Sequence, residues 1–292
     1  MGKGVPARID GIVAREAPVA VIFRRGPSRH TQLLTWNLET DEVTPGQWIT
    51  SKVFPRKSDL SPDGKLLVAS FLNCSSRRDE CFGSELEFDA WTSVSRPPYF
   101  NPIAAWHGYG VWYGGGLWHS SQELRRNAID EDVAVPAPSW LRVTQTAIGV
   151  GQELVFAHRL HESGWKILQP ANWEEIRVEG RREQEEVKLA QAPFIIAEKR
   201  FERGTLRWIA QTKERWVLLD LEGKVNRSFN PPASEPQFLD IDHRGRVVFG
   251  DQGCLWAWEG FPDGKPTLIA DLNANRFEAI EAPAWAVSRE KP

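Results

Sequence analysis

The sequence predicts an all-β fold, a single β-propeller of about six four-stranded blades, with five or seven as the alternative counts. Three observations predict it. Apolar segments are short and strand-like from end to end, one turn unit recurs along the chain, and aromatic residues are plentiful, with 14 Trp and 14 Phe among 292 residues. Those rings supply the apolar area that a stack of thin sheets must bury.

The strand signals are the runs VAVIF at 19–23, QLLTW at 32–36, KLLVA at 65–69 and RVVF at 246–249. Each is bounded by Gly, Pro, Asn, Asp or Ser, the residues that permit tight turns. The recurring unit is a short strand, an acidic turn with Gly, a basic residue and a second apolar strand, seen at 58–69 and again at 239–249. Gly64 and Gly245 hold equivalent places, where a hairpin needs a positive φ. With Gly110, Gly151 and Gly204 as weaker markers, the steps are 46, 41, 53 and 41 residues. Such a period belongs to propeller blades.

The clearest blade is the last, with strands at 238–242, 246–249, 254–258 and 266–270. Segment 277–286 then reads as one strand too many, and the chain before Val19 as too short for a blade of its own. The two ends are therefore expected to share a blade and join the ring, which would remove exposed sheet edges. The whole span 1–292 is expected to be one propeller domain, with the charged stretch 173–188 as a surface insertion.

A formal net charge of −3 gives no global basic field for nucleic acid. No run approaches the ~18 apolar residues of a membrane span, and the N-terminus lacks the apolar region of a secretory signal. Cys74, Cys81 and Cys254 are odd in number and form no CxxC, which suits reduced thiols. A cytoplasmic protein without a membrane partner is expected.

Ser61-Pro-Asp-Gly-Lys65 resembles the turn between first and second strands in WD-repeat and TolB-like propeller blades. The segments Arg24-Arg-Gly-Pro-Ser28 and Trp112-Tyr-Gly-Gly-Gly-Leu-Trp118 are similar to those of a bacterial propeller group without an assigned activity. The resemblance implies the fold and names no chemistry.

Chemistry is sparse in the sequence. No nucleophile elbow, Walker loop or dinucleotide fingerprint is present. His158 and His161 have metal-ligand spacing for a helix, yet the segment reads as a turn after a strand, where the imidazoles need not converge. Asp59, Glu198, Asp240 and Asp242 are the acidic residues of the expected inner strands, too few for a metal-dependent hydrolase or lactonase of the six-bladed kind. Neither catalytic residues, metal nor cofactor are assigned.

The remaining signal is basic. Loops joining second to third strands and blade to blade should emerge at one face, bringing together Arg24, Arg25, Arg29, His30, Arg56, Arg77, Arg78, Arg96, Tyr99, His158 and His161. Arginine and aromatic rings are favoured at interfaces. The leading expectation is a non-enzymatic platform for a protein or peptide, acidic where it meets these arginines. The alternatives are a hydrolase with a metal in the channel, and an anionic ligand held by the basic rim.

Overall fold

Residues 8–13 bury Ile9 and Ile12 and leave the other four half-buried, and they form the first strand of a complete N-terminal blade. In the computed structural model the chain is a five-bladed β-propeller, described for residues 5–26, 30–73, 90–108, 112–129, 132–149, 151–169, 195–210, 215–229 and 238–292. Blade 1 is the antiparallel meander β1 (Arg8–Val13), β2 (Val19–Arg25), β3 (Thr31–Asn37) and β4 (Val43–Ile49).

Blade 2 begins with β5 (Lys52–Val53), a 3-10 turn at Pro55–Lys57 and β6 (Asp59–Leu60). It continues through β7 (Leu67–Leu72), β8 (Ala90–Ser95) and β9 (Pro102–Gly108). Blade 3 holds β10 (Gly116–Ser120), β11 (Glu123–Asn127) and β13 (Arg142–Thr146), the last parallel to β11. The intervening β12 (Val133–Val135) is lent to the outer edge of β9.

Helix α1 (Gln152–Glu162) and β14 (Lys166–Gln169) follow. Blade 4 is β15 (Ile195–Phe201), β16 (Gly204–Ala210), β17 (Arg215–Leu219) and β18 (Val225–Phe229), with β14 added beside β15. Blade 5 is β19 (Leu239–Ile241), β20 (Val247–Asp251), β21 (Cys254–Trp258) and β22 (Thr267–Asp271). A last short helix, α2, spans Ala284–Val287.

The leading count of six blades is thus corrected to five. Gly151 marks the start of α1 rather than a strand turn, with φ 87°, and Gly110 falls outside the described residues. Gly64 and Gly245 do turn their hairpins at φ 75° and 76°. At the first, the Ser61 hydroxyl donates to Asp63 at 2.7 Å and accepts the Leu66 N–H at 2.9 Å, locking the turn that the sequence advertises. The insertion at 173–188 lies outside the described residues.

Blades pack face to face through their large side chains. Ile12, Phe23 and Leu33 of blade 1 meet Leu67 and Phe71 of blade 2. Val68, Val94 and Ile103 meet Trp118 and Leu124 across the next seam. Blades 4 and 5 share a cluster with α1 that includes Phe156, Trp208, Trp216 and Phe249, and blades 5 and 1 share one built on Ile22, Trp36, Phe238 and Val248. Among the described residues no such cluster joins blade 3 to blade 4. Helix α1 touches β10 on one side and β14 and β15 on the other, and the Arg125–Glu162 ion pair at 2.7 Å ties it to β11.

Among the described residues no strand is shared between the two chain ends. Blade 1 is complete by itself, and 272–292 contain α2 but no strand. The segment crosses the molecule as a strap, held mainly by side-chain hydrogen bonds rather than by a ladder. Asn275 donates to Gln32 at 2.7 Å, Gln47 to the Ile280 carbonyl at 3.0 Å, and Arg96 to the Glu290 carbonyl. Arg289 donates to the carbonyls of Ile103 and Pro136 at 3.1 and 2.6 Å, and Trp140 to the Arg289 carbonyl at 2.7 Å.

The strap therefore runs over blades 1 and 2 to the border of blade 3. Deleting 277–292 is expected to cost about 2 kcal/mol or more, because Arg96 loses its carbonyl acceptor while buried. Urea denaturation of the truncated chain measures this, and a coincident transition would show that the strap adds nothing.

The seam between the last and first blades carries a polar staple. Arg246, just before β20, donates to Asp242 at 2.7 Å, to both Asp41 oxygens at 2.8 and 2.9 Å, and to the Leu38 carbonyl at 2.8 Å. Asp41 and Leu38 belong to the β3–β4 turn of blade 1. One guanidinium thus holds two blades by four hydrogen bonds, a geometry suited to the planar fork of arginine.

Candidate functional site

Elements of blades 1, 2, 4 and 5 converge with α1 on a small central cavity. Helix α1 forms because Phe156, Ala157 and Leu160 offer an apolar face that packs on blade 4, with Val155 buried beside them. It ends in a Schellman arrangement, with Gly164 N–H donating to the His161 carbonyl and Trp165 N–H to the Leu160 carbonyl, at Gly164 φ 82°. The expected turn at His158 and His161 is thereby corrected to helix. Both histidines lie on its exposed side, and among the described residues no group of three or more potential metal ligands assembles.

Arg159 projects from the buried side of α1 at 7% exposure. Its Nη1 donates to the Pro55 carbonyl at 2.7 Å and to the Ser58 carbonyl, so the helix is pinned to the first strand region of blade 2. Asp10, Asp59 and Asp240 surround it electrostatically. Burial pulls its pKa down to about 10 against those three carboxylates, so it stays charged at neutral pH.

Asp59 accepts the Trp118 N–H at 2.8 Å and the Leu60 N–H at 3.0 Å, and its carbonyl accepts Trp118 Nε1–H at 3.1 Å. Blade 2 is thereby joined to blade 3. Burial pushes the Asp59 carboxyl up to about 6, opposed by Arg15, Arg159 and the two N–H donors. Lys57, two residues earlier, donates to the Tyr113 carbonyl at 2.9 Å, and burial brings it down to about 8. Strongly shifted groups often mark reactive sites, and structural ion networks shift them too. Neither residue borders the cavity, whose free volume of about 30 Å³ is room for a water or two.

Because the folded-state pKa of Asp59 lies above its ordinary 3.8, folding favours the protonated acid. Its contribution is best below about pH 4 and is progressively lost as pH rises through 6. The stability of wild type minus that of Asp59→Asn should therefore fall between pH 4 and pH 7. A flat difference over that window would refute the raised pKa.

The other inner acids are consumed singly. Asp240 pairs with Lys199 at 2.8 Å, Asp242 with Arg246, and Glu198 with Arg207. They do not converge on a common point.

The basic rim divides. Arg24 is 2% exposed and donates to the Leu272 carbonyl at 3.1 Å; it also lies 5.4 Å from the Trp48 ring. Arg56 is buried over the rings of Phe156 and Trp208 at 5.2 and 5.7 Å. Arg96 and Tyr99 follow β8, at the end of the sheets opposite Arg25 and His30, and both face the strap. The one-face grouping is corrected accordingly, because the turn at 96–101 joins third to fourth strands. Arg29, Arg77 and Arg78 lie outside the described residues.

At the upper end of blade 1, taken as the end bearing Arg25, an aromatic group escaped the sequence reading. The Phe277 ring, 54% exposed, lies 4.5 Å from His30 and 6.3 Å from Trp48. Nothing in the sequence brings residue 277 to residue 30, since the strap alone does so.

Fold and geometry define a five-bladed propeller with a helix packed into its axis. No family model matches the sequence, and no curated protein matches it. Among solved structures, the chain is similar to an acylaminoacyl peptidase from Pyrococcus horikoshii, at 12% identity over 90% of this chain and 45% of that chain, TM-score 0.29. It is also similar to an acylaminoacyl peptidase in complex with Z-Gly-Gly-Phe-chloromethyl ketone, at 11% identity over 92% of this chain and 53% of that one, TM-score 0.25. The chain spans about half the length of these structures. No helix among the described residues is long and apolar enough to cross a membrane.

Proposed function

We propose that this propeller is a non-enzymatic binding platform and that its partner, a protein or peptide, docks on the upper end of blade 1. The half-exposed Phe277 ring against His30 and Trp48, with Arg25 on the same end, carries this reading. Interface cores favour aromatic rings and arginine over lysine and small polar residues. The axis supports it from the other direction. Helix α1 and Arg159 stand where the inner strands of blades 1, 2 and 5 meet, and the cavity they border among the described residues, about 30 Å³, is far smaller than a ligand pocket.

Blades of the WD-repeat or TolB-like type and a reducing, cytoplasmic setting agree with the Ser61–Lys65 turn and with Cys254 as a free thiol. The test is a pull-down from the native cell extract with wild type and with Phe277→Ala combined with Arg25→Glu. A partner present with wild type, weakened by salt and lost with the double variant is the expected result. Identical captures by both proteins would overturn the assignment of this surface.

A further inference from the structure

A second pocket, of about 480 Å³, opens between blades 1 and 2 at the end opposite His30. Its size falls in the range of small-molecule sites, and its two walls carry opposite charge. On the blade 1 side stands Glu42, beside the β3–β4 turn; on the blade 2 side stands Lys65, in the β6–β7 hairpin. Both side chains are exposed, and among the described residues neither has a hydrogen-bond or ion-pair partner. They do not pair with each other, although both border the same space.

Arg96 reinforces the positive wall. It is 7% exposed, its Nη2 is engaged by the Glu290 carbonyl, and its Nε has no acceptor. Between the walls lie the hydroxyls of Thr35 and Thr44, directly opposite one another across β3 and β4. The strap contributes Trp285, half exposed, with its indole set against Tyr99 at 5.4 Å.

We propose that this pocket binds a small zwitterion, an apolar amino acid or a short peptide with free amine and carboxylate. Its ammonium pairs with Glu42, its carboxylate with Lys65 and the Arg96 behind it, and its side chain lies on Trp285. A ligand of one sign would leave one wall's charge unpaired on desolvation, and a neutral saccharide would leave both. A ligand carrying both charges answers both walls. The site is at the far end of blade 1 from the platform surface and does not rest on that reading.

Isothermal titration of the full chain with the dipeptide leucyl-leucine tests the proposal, with N-acetyl-leucine amide and maltose as uncharged controls. Saturable binding of the dipeptide is expected, and each of Glu42→Gln and Lys65→Met should weaken it about tenfold or more. Both variants should melt like wild type, because the replaced groups are exposed and unpaired, so lost binding cannot be ascribed to misfolding. Thr35→Trp, which fills the pocket, should abolish binding. Three results would each overturn the site: no saturable heat with leucyl-leucine at millimolar concentration, equal binding of the acetylated amide or of maltose, or full affinity in both charge variants.

Discussion

Replacing Arg246 by Met should lower the unfolding free energy by about 3–5 kcal/mol, the range for removing one partner of a buried ion pair. The side chain is 4% exposed and that of Asp242 is 0% exposed, so the variant leaves an enclosed carboxylate without its cation. Burial disfavours the charge on Arg246, yet hydrogen bonds to Asp41 and Asp242 outweigh it and hold the guanidinium above its ordinary pKa. Equilibrium urea unfolding gives the loss directly. A double variant, Arg246→Met with Asp242→Asn, should recover part of it, since no buried charge is then stranded. A loss under about 1 kcal/mol for the single variant would mean that the apolar cluster of Trp36 and Phe238 joins blades 5 and 1 unaided.

Arg159→Met should have a comparable effect of about 3–5 kcal/mol at pH 7.5, with a signature that separates charge from packing. The Met side chain replaces the apolar stem but leaves the carbonyls of Pro55 and Ser58 without their donor. Asp59 also loses a cation that favours its ionised form, so its pKa climbs further from about 6. The part of the electrostatic penalty owed to Asp59 exists only where that acid is ionised in wild type, above about pH 6, and fades as pH falls below that, while Asp10 and Asp240 contribute at both ends of the window. The variant should consequently be less damaging at pH 5 than at pH 7.5. A pH-independent penalty would show that Arg159 does not stabilise the ionised form of Asp59.

Strands and hairpins were legible in the sequence because their signals are local. The positive φ at Gly64 and Gly245 and the four strands of blade 5 follow from residues adjacent in the chain. Helix α1 was hidden by Arg159, a charged residue on its buried side, which interrupts the apolar periodicity that would have revealed it. The leading count of six, rather than the alternative of five, came from the same place, since Gly151 opens that helix. The arginines misled because solvated and buried guanidinium groups share one sequence signal. What buries Arg24 and Arg96 is the strap, 248 and 194 residues away in the chain. Contacts between a side chain and a distant carbonyl have no periodicity and no partner residue type, so no pattern announces them.

The uneven seams give the molecule the mechanics of a split washer. Among the described residues four joints are filled by apolar clusters, and the strap spans the blade 1–blade 2 joint, while blades 3 and 4 meet through α1 and an exposed ion pair. Strain delivered anywhere on the circle should concentrate at that gap, with α1 as the wedge that moves first. Backbone amides of 152–162 should therefore exchange with solvent ahead of those in β2, β7 and β20, and blades 5, 1 and 2 should persist together as the last cooperative arc to unfold.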